Sequence, residues 1–161
     1  MEQYEPALWR LVNSYEVDGA RREDLFQEIV LGLCQAIPRF RGDSSERTWL
    51  YRIAHNIAAS ALYSRRRRER SELPIAEAVE CFAAAGHPDE ALLLREKRDA
   101  MLAAIRELPG IDRQVVVLHL EGLNYEEIEH VSGLSQSAIA TRLTRIRARL
   151  AEAVRKKEVC K

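Results

Sequence analysis

Short hydroxyl side chains and arginines are grouped between residues 135 and 149, near the end of this chain of 161 residues. At about 100° per residue of helix, they fall on neighbouring faces, the hydroxyls at Ser137, Thr141 and Thr144 and the arginines at Arg142, Arg145 and Arg149. Arginine can bind guanine or phosphate through two hydrogen bonds, and a hydroxyl can reach a base edge or the DNA backbone. The grouping predicts a helix in a DNA major groove. The alternative is an ordinary surface helix whose arginines are solvated.

The elements that would position these side chains are a helix, a tight turn and a second helix over residues 122–150. Asn124 is a favourable N-cap, and Glu127, three residues later, completes the spacing of a capping box. Gly133 supplies the positive φ that a short turn requires, and Ser135 caps the second helix. That helix carries one apolar stripe, which consists of Ile139, Leu143, Ile146 and Leu150.

The stretch YEEIEHVSGLSQSAIATRLTRIRARL resembles the C-terminal DNA-binding region of bacterial RNA polymerase sigma factors of the extracytoplasmic-function (ECF) group. That family carries Y-E-E-I-A, then G-x-S, then V-K-S-R-L-x-R-A-R. Here Ala140 stands where the family usually has Lys or Arg, and Ile139 replaces the usual Val. The resemblance implies contacts with the −35 promoter element from Ser135, Gln136, Ser137, Thr141, Arg142, Thr144, Arg145 and Arg149. The base readers would be Gln136, Ser137, Thr141 and Thr144, and the three arginines would bind phosphate.

A second basic block lies in the first half of the chain. The formal net charge is zero, but residues 38–70 hold nine arginines against three acids, and residues 134–161 are also basic. Asp43 and Glu46 have capping-box spacing and predict the start of a third helix. Arginines interleaved with aromatic side chains suit single-stranded DNA, because bases stack on rings while cations follow the backbone. The alternative is that Phe40, Trp49 and Tyr51 belong to the core and the arginines only solubilise the helix.

The segment FRGDSSERTWLYRIAHN closely resembles the sigma-factor segment that melts and reads the −10 promoter element. Ser45 and Glu46 lie in the loop whose counterpart holds a flipped base. The third helix is predicted to expose Thr48, Arg52, His55, Asn56 and Tyr63. With the resemblance, the implied −10 contacts are Arg41, Ser45, Glu46, Arg47, Thr48, Trp49, Arg52, His55, Asn56 and Tyr63.

A third candidate surface lies on the second predicted helix, which runs from about Arg22 to Ile37. Leu31 is an aliphatic residue at the centre of an otherwise acidic and amide face, formed by Asp24, Gln27, Glu28 and Gln35. A lone exposed leucine is common, yet a polar rim around one apolar contact is also typical of a protein-docking face. The stretch DLFQEIVLGL resembles the sigma region that binds the β′ clamp helices of the polymerase, with Val30 in place of the usual Phe. The resemblance favours a polymerase-binding role for these five residues.

The predicted fold class is all-α, with two small helical domains joined by a flexible linker. The N-terminal domain covers residues 1–70, the linker residues 71–94 and the C-terminal domain residues 95–161. The linker lacks Lys and Arg before residue 95, and a short helix is expected around residues 75–84. In the C-terminal domain, Asp112 is predicted to cap the helix before the helix–turn–helix.

Other function classes find no support in the residues. The adjacent carboxylates do not converge, and no phosphate loop, nucleophile elbow or HExxH occurs, so no enzyme is expected. Three scattered cysteines and four isolated histidines have no zinc-site spacing, so we expect reduced thiols and neither metal nor cofactor. With no signal peptide and no apolar run of membrane length, the expected location is the cytoplasm, without membrane insertion.

Together the resemblances imply an ECF-type sigma factor that directs core RNA polymerase to a particular set of promoters. The implied partners are the β′ clamp helices and β flap of core polymerase, promoter DNA and an anti-sigma factor. A free-standing dimeric helix–turn–helix regulator is the alternative, and a polymerase-sequestering protein without DNA specificity is a third reading.

Overall fold

The computed structural model describes residues 2–71 and 90–159, with seven α-helices and no strand in these two ranges. The helices are α1 (Glu5–Tyr15), α2 (Gly19–Ala36), α3 (Glu46–Ser71), α4 (Glu90–Arg106), α5 (Gly110–Leu120), α6 (Tyr125–Ser132) and α7 (Gln136–Val159). The all-α prediction is therefore confirmed. The helix expected around residues 75–84, and most of the predicted linker, lie outside the described residues.

Side-chain caps explain where several of these helices begin. The carboxylate of Asp18 accepts a hydrogen bond from the Arg21 backbone N–H at 2.9 Å, so α2 begins at Gly19, three residues before its predicted start. The predicted capping pair of Asp43 and Glu46 is wrong. The cap of α3 is Ser45, whose Oγ accepts from the Thr48 N–H at 3.1 Å, because it directly precedes the helix.

Each half of the chain packs its helices around a different part of the core. In the N-terminal half, α1, α2 and α3 enclose fully buried residues such as Leu11, Ile29 and Leu33. In the C-terminal half, α7 packs against α4, α5 and α6. A separate apolar cluster there consists of Ile105, Leu108, Val116, Val117 and Ile146.

The two halves are in contact. Val115, Leu118, Leu123, Ile128 and Val131 of the C-terminal half belong to the same hydrophobic cluster as the α1–α3 core. Polar contacts reinforce this interface, because Arg106 donates two hydrogen bonds, of 2.9 and 2.7 Å, to the backbone carbonyl of Asn13. The chain therefore adopts a closed arrangement in which α6 packs on α3.

Candidate nucleic-acid and polymerase interfaces

The turn between α6 and α7 has the geometry that the sequence predicts. Asn124 Oδ1 accepts from the Glu127 N–H at 2.9 Å, while Glu127 Oε2 accepts from the Asn124 N–H at 2.9 Å, which completes the capping box. Gly133 ends α6 with a φ of 72°, in the left-handed region that favours glycine. This turn fixes the direction in which α7 leaves α6.

The predicted recognition face of α7 is largely open to solvent. Ile139, Leu143 and Ile146 are buried, so the apolar stripe anchors α7 as predicted. Arg142 is half-buried, and the other predicted DNA-contacting side chains are exposed, namely Ser135, Gln136, Ser137, Thr141, Thr144, Arg145 and Arg149. The Thr141 and Thr144 hydroxyls donate to the backbone carbonyls four residues earlier, at 3.0 Å each. Their oxygens can still accept hydrogen bonds from a ligand.

Two arginines of this face are held by an acid from another helix. Arg142 Nη1 lies 2.5 Å from Asp112 Oδ1, and Arg145 Nη2 lies 3.0 Å from Asp112 Oδ2. The prediction that Asp112 caps α5 is wrong, because α5 begins two residues earlier, at Gly110. The buried carboxylate lies in the first turn of α5, where the helix dipole favours negative charge. It orients both arginines from beneath, and it is a functional candidate that the sequence prediction missed.

The exposed face of α3 differs from its prediction at two positions. Arg41, Ser45, Glu46, Arg52, Asn56 and Tyr63 are exposed, and Arg47 and Trp49 are half-buried. Thr48 and His55, however, are buried, with 3% and 1% of their surfaces accessible. The prediction that both face solvent is wrong, because α1, α2 and the C-terminal helices cover a wider part of α3 than its apolar stripe alone.

The surroundings of Thr48 and His55 explain their burial. The Thr48 hydroxyl lies 2.7 Å from Ser45 Oγ, and His55 Nδ1 lies 3.0 Å from the Tyr15 hydroxyl. Burial lowers the pKa of His55 to about 3, so its imidazole is neutral at physiological pH. In this conformation His55 offers neither a positive charge nor an accessible edge to DNA.

Aromatic rings line the rim of the α3 face. The ring centroids of Phe40 and Trp49 are 5.0 Å apart, and both rings are partly exposed. Tyr63 is 71% exposed further along the helix. Tyr51, in contrast, is 1% exposed and belongs to the core. The structure thus keeps open a combination of arginines and aromatic rings, as the sequence predicts.

The predicted docking face of α2 is exposed throughout. Leu31 is 59% accessible, and the four polar residues around it are also exposed, namely Asp24, Gln27, Glu28 and Gln35. The structure therefore leaves Leu31 without a core role, as expected for a contact residue.

Glu121, at the C-terminal end of α5, is the centre of the contact between the two halves. Its carboxylate accepts two hydrogen bonds from Arg10, at 2.6 and 2.7 Å, and one from the Tyr51 hydroxyl at 2.9 Å. Its backbone carbonyl accepts from Arg47. These partners are as many as 111 positions apart in the chain, and no local sequence pattern links them.

Comparisons with known proteins identify the family of this chain. The family described as Sigma-70 region 2 matches residues 1–68, and the family described as Sigma-70, region 4 matches residues 98–150. The ECF RNA polymerase sigma-E factor of Escherichia coli K12 is 33% identical over 152 residues, covering 90% of this chain and 79% of that protein. This chain belongs to the ECF sigma factors. The RNA polymerase sigma-H factor of Pseudomonas aeruginosa PAO1 is 31% identical to this ECF sigma factor over 159 residues, covering 94% and 82% of the two chains.

Solved structures show the same fold. The sigma factor RpoE from Bartonella quintana, solved in complex with the anti-sigma factor NepR, superposes on this ECF sigma factor with a TM-score of 0.70 and 22% identity, covering 96% of this chain and 95% of that one. CnrH, solved in complex with the cytosolic domain of CnrY, gives a TM-score of 0.66 and 22% identity, covering 96% and 84%.

Family membership establishes the general function. This ECF sigma factor acts with RNA polymerase in promoter-directed transcription initiation, and the reading as a free-standing regulator is not favoured. Within the described residues, no helix is both long enough and apolar enough to cross a membrane.

Proposed function

We propose a division of this activity among three surfaces. The α2 face binds core polymerase, the exposed face of α3 holds the opened −10 strand, and α7 lies in the major groove of the −35 element. The observation that carries the proposal is the recognition face of α7, which stays open to solvent while the opposite stripe is buried. Two DNA modules on one chain gain affinity together only when they are spaced correctly, and bound polymerase would provide that spacing.

The polymerase contact would centre on Leu31. A protein interface draws its binding energy from a few apolar residues inside a polar rim, and Leu31 with its four polar neighbours has this arrangement. The β′ clamp helices are the proposed partner of this surface, and the β flap is the proposed partner of the C-terminal domain.

The −10 contact would use the residues that α3 leaves accessible. Arg41 and Arg52 would follow the phosphates, Ser45 and Glu46 would hold a flipped base, and Asn56 and Tyr63 would extend the surface along the helix. Trp49 and Phe40 supply partly exposed rings for stacking. Thr48 and His55 would reach a base only after the surrounding helices move apart.

The −35 contact would combine base reading with phosphate binding on α7. Gln136, Ser137, Thr141 and Thr144 present short polar groups suited to base edges, while Arg142, Arg145 and Arg149 supply charge for phosphates. Because Asp112 orients Arg142 and Arg145, those two guanidinium groups would meet the DNA already positioned.

An anti-sigma factor is the proposed negative regulator. The support is that two solved structures similar to this fold are complexes, one of a sigma factor with an anti-sigma factor and one of CnrH with the cytosolic domain of CnrY. Because core polymerase acts on chromosomal DNA, the proposed location is the cytoplasm.

Run-off transcription with purified core polymerase tests the proposal. Adding the full chain should produce promoter-dependent transcripts, and Leu31→Asp should abolish both these transcripts and co-purification with core polymerase. The substitution places a charge at the centre of the contact without touching the protein core, so the helical circular dichroism should not change.

Leu94→Asp is the matched control. Leu94 is 64% exposed on α4, outside the proposed docking face, so this variant should retain polymerase binding. If Leu31→Asp binds core as well as Leu94→Asp does, the α2 face is not the docking surface. If the natural chain supports no promoter-dependent transcript, the proposed function itself is wrong.

A further inference from the structure

Among the described residues, three side chains of the N-terminal half donate hydrogen bonds to Glu121. Arg10, from α1, donates a hydrogen bond to each carboxylate oxygen, and the Tyr51 hydroxyl, from α3, donates to one of them. Arg47, also from α3, donates to the Glu121 backbone carbonyl, and its guanidinium lies 5.9 Å from the centre of the Tyr51 ring. All three donors belong to the N-terminal half, whereas their acceptor belongs to the C-terminal half.

This arrangement is suited to any anion with several acceptor oxygens. The two-pronged contact of an arginine matches phosphate as well as it matches carboxylate. In the closed chain Tyr51 is a donor, because burial raises its pKa and the nearby negative charge of Glu121 raises it further. In the open chain a solvated phenol with its ordinary pKa of about 10 is still protonated at neutral pH. Removing the C-terminal half from this position would leave two guanidinium groups and a phenol facing solvent together.

The position of this group of donors indicates which anion would replace Glu121. Arg47 and Tyr51 lie on the first two turns of α3, next to Ser45 and Trp49 of the proposed −10 surface. Arg47 is itself one of the residues expected to contact DNA. A strand held on the exposed side of α3 would therefore have its phosphates close to this group.

We infer that Arg10, Arg47 and Tyr51 form a binding site for a backbone phosphate of single-stranded DNA, and that Glu121 occupies this site as an internal competitor in the closed chain. The inference rests on the proposed function and extends it to Arg10 and Tyr51. One anion at a time can accept these hydrogen bonds, so strand binding and closure of the two halves oppose each other. By thermodynamic linkage, the factor by which closure weakens strand binding equals the factor by which strand binding weakens closure.

Other contacts also hold the closed arrangement. Arg106 binds the Asn13 carbonyl, the Arg113 guanidinium lies 5.1 Å from the centre of the Tyr15 ring, and the two halves share apolar core. These contacts remain when the Glu121 charge is lost. The loss should therefore shift the equilibrium between the closed and the open chain towards the open chain without unfolding either half.

The test measures fluorescence anisotropy of a labelled single-stranded oligonucleotide carrying a −10-like sequence, with full-length protein and no polymerase. Glu121→Gln should bind the strand about tenfold more tightly than the natural chain, within the usual range for coupling between sites. Glu126→Gln is the control, because it removes the same charge from an α6 position outside the donor group. Adding Arg10→Ala to Glu121→Gln should reverse the gain.

Several results would overturn the inference. It is wrong if Glu121→Gln binds no more tightly than Glu126→Gln, or if Arg10→Ala leaves the gain intact. Polyglutamate serves as a competitor of similar charge density. If it binds Glu121→Gln as tightly as the oligonucleotide does, the site accepts acidic protein segments and the assignment to phosphate is wrong.

A second measurement uses the natural chain, so that it does not depend on how any variant folds. Small-angle scattering should show a larger radius of gyration when the oligonucleotide saturates the protein, because the strand displaces Glu121. A chain that binds the strand and stays compact would refute the competition. These measurements omit polymerase, so a failure here is distinct from a failure of run-off transcription.

Discussion

His55 lies inside the molecule as a neutral imidazole, although its neighbours along α3 include several basic residues. Its Nδ1 is paired with the Tyr15 hydroxyl, and its Nε2 is buried without a hydrogen-bond partner among the described residues. A charged imidazole would be strongly disfavoured there, since an unpaired charge away from water carries a large desolvation penalty. At the residue scale, burial therefore decides what the side chain can do.

This burial predicts a pH dependence of stability. The pKa of His55 is about 3 in the folded chain, below the ordinary value of about 6.5. As the pH falls, the unfolded chain binds the proton first, so the free energy of unfolding decreases progressively below about pH 6.5 and continues to decrease to about pH 3. Between about pH 7.5 and about pH 5.5 the contribution of His55 should be a loss of about 1.4 kcal/mol.

His55→Phe should remove this contribution. Urea unfolding at the two pH values compares the natural chain with the variant, and the other titrating groups cancel because both proteins contain them. Equal pH dependence in the two proteins would mean that His55 takes up its proton readily in the folded state.

The helix–turn–helix is the element whose local sequence agrees best with its structure. The capping box of Asn124 and the left-handed Gly133 each require a particular residue type, and both residues occupy their expected places. The direction of α7, and so of the recognition face, depends on this turn. Asp112 acts at the same scale, because it joins α5 to two arginines of α7.

Gly133→Ala should destabilise the protein by about 1–2 kcal/mol, the cost of placing a side chain in left-handed backbone. A Cβ added at Gly133 would have no neighbouring atom within 4 Å, so the cost should come from the backbone alone. Chemical denaturation followed by circular dichroism measures the change.

Gly110→Ala is the matched control for this substitution. Gly110 also has open space around it and lacks the positive φ, so alanine there should be neutral or slightly stabilising. Equal destabilisation by both substitutions would show that the φ of Gly133 is not the cause.

Across the whole molecule, the two halves share one apolar cluster and a polar contact at Glu121. Both tryptophans, Trp9 and Trp49, lie in the N-terminal half, where Trp9 stacks on Phe26 with ring centroids 4.4 Å apart. Tryptophan fluorescence therefore reports chiefly on the N-terminal half, while circular dichroism reports on every helix. The shared cluster predicts that both halves unfold together.

Ile146→Ala tests this cooperativity from the opposite half. Ile146 is fully buried in the cluster that involves only C-terminal residues, and its truncation should cost about 2–5 kcal/mol. The fluorescence transition should shift together with the circular dichroism transition, while Ala148→Ser, on the exposed side of α7, should shift neither. A fluorescence midpoint that stays in place would show that the halves unfold independently.

Periodicity and turn residues determined the helices, and together with the Asn124 cap they determined the helix–turn–helix and the open face of α7, because these features depend on residues within a few positions of one another. The exposed position of Leu31 followed for the same reason, since it requires only the register of α2. Motif resemblance added the family, which the comparisons confirm.

Tertiary structure alone decided which polar groups already have partners. Arg142 and Arg145 form ion pairs with Asp112, which is about thirty positions away in the chain. Arg10 pairs with Glu121 across the two halves, and His55 is covered by α1. Such contacts depend on how helices that are distant in sequence approach one another, and helical periodicity describes only the face that each helix presents. The closed arrangement of the two halves could not be predicted from the sequence for the same physical reason.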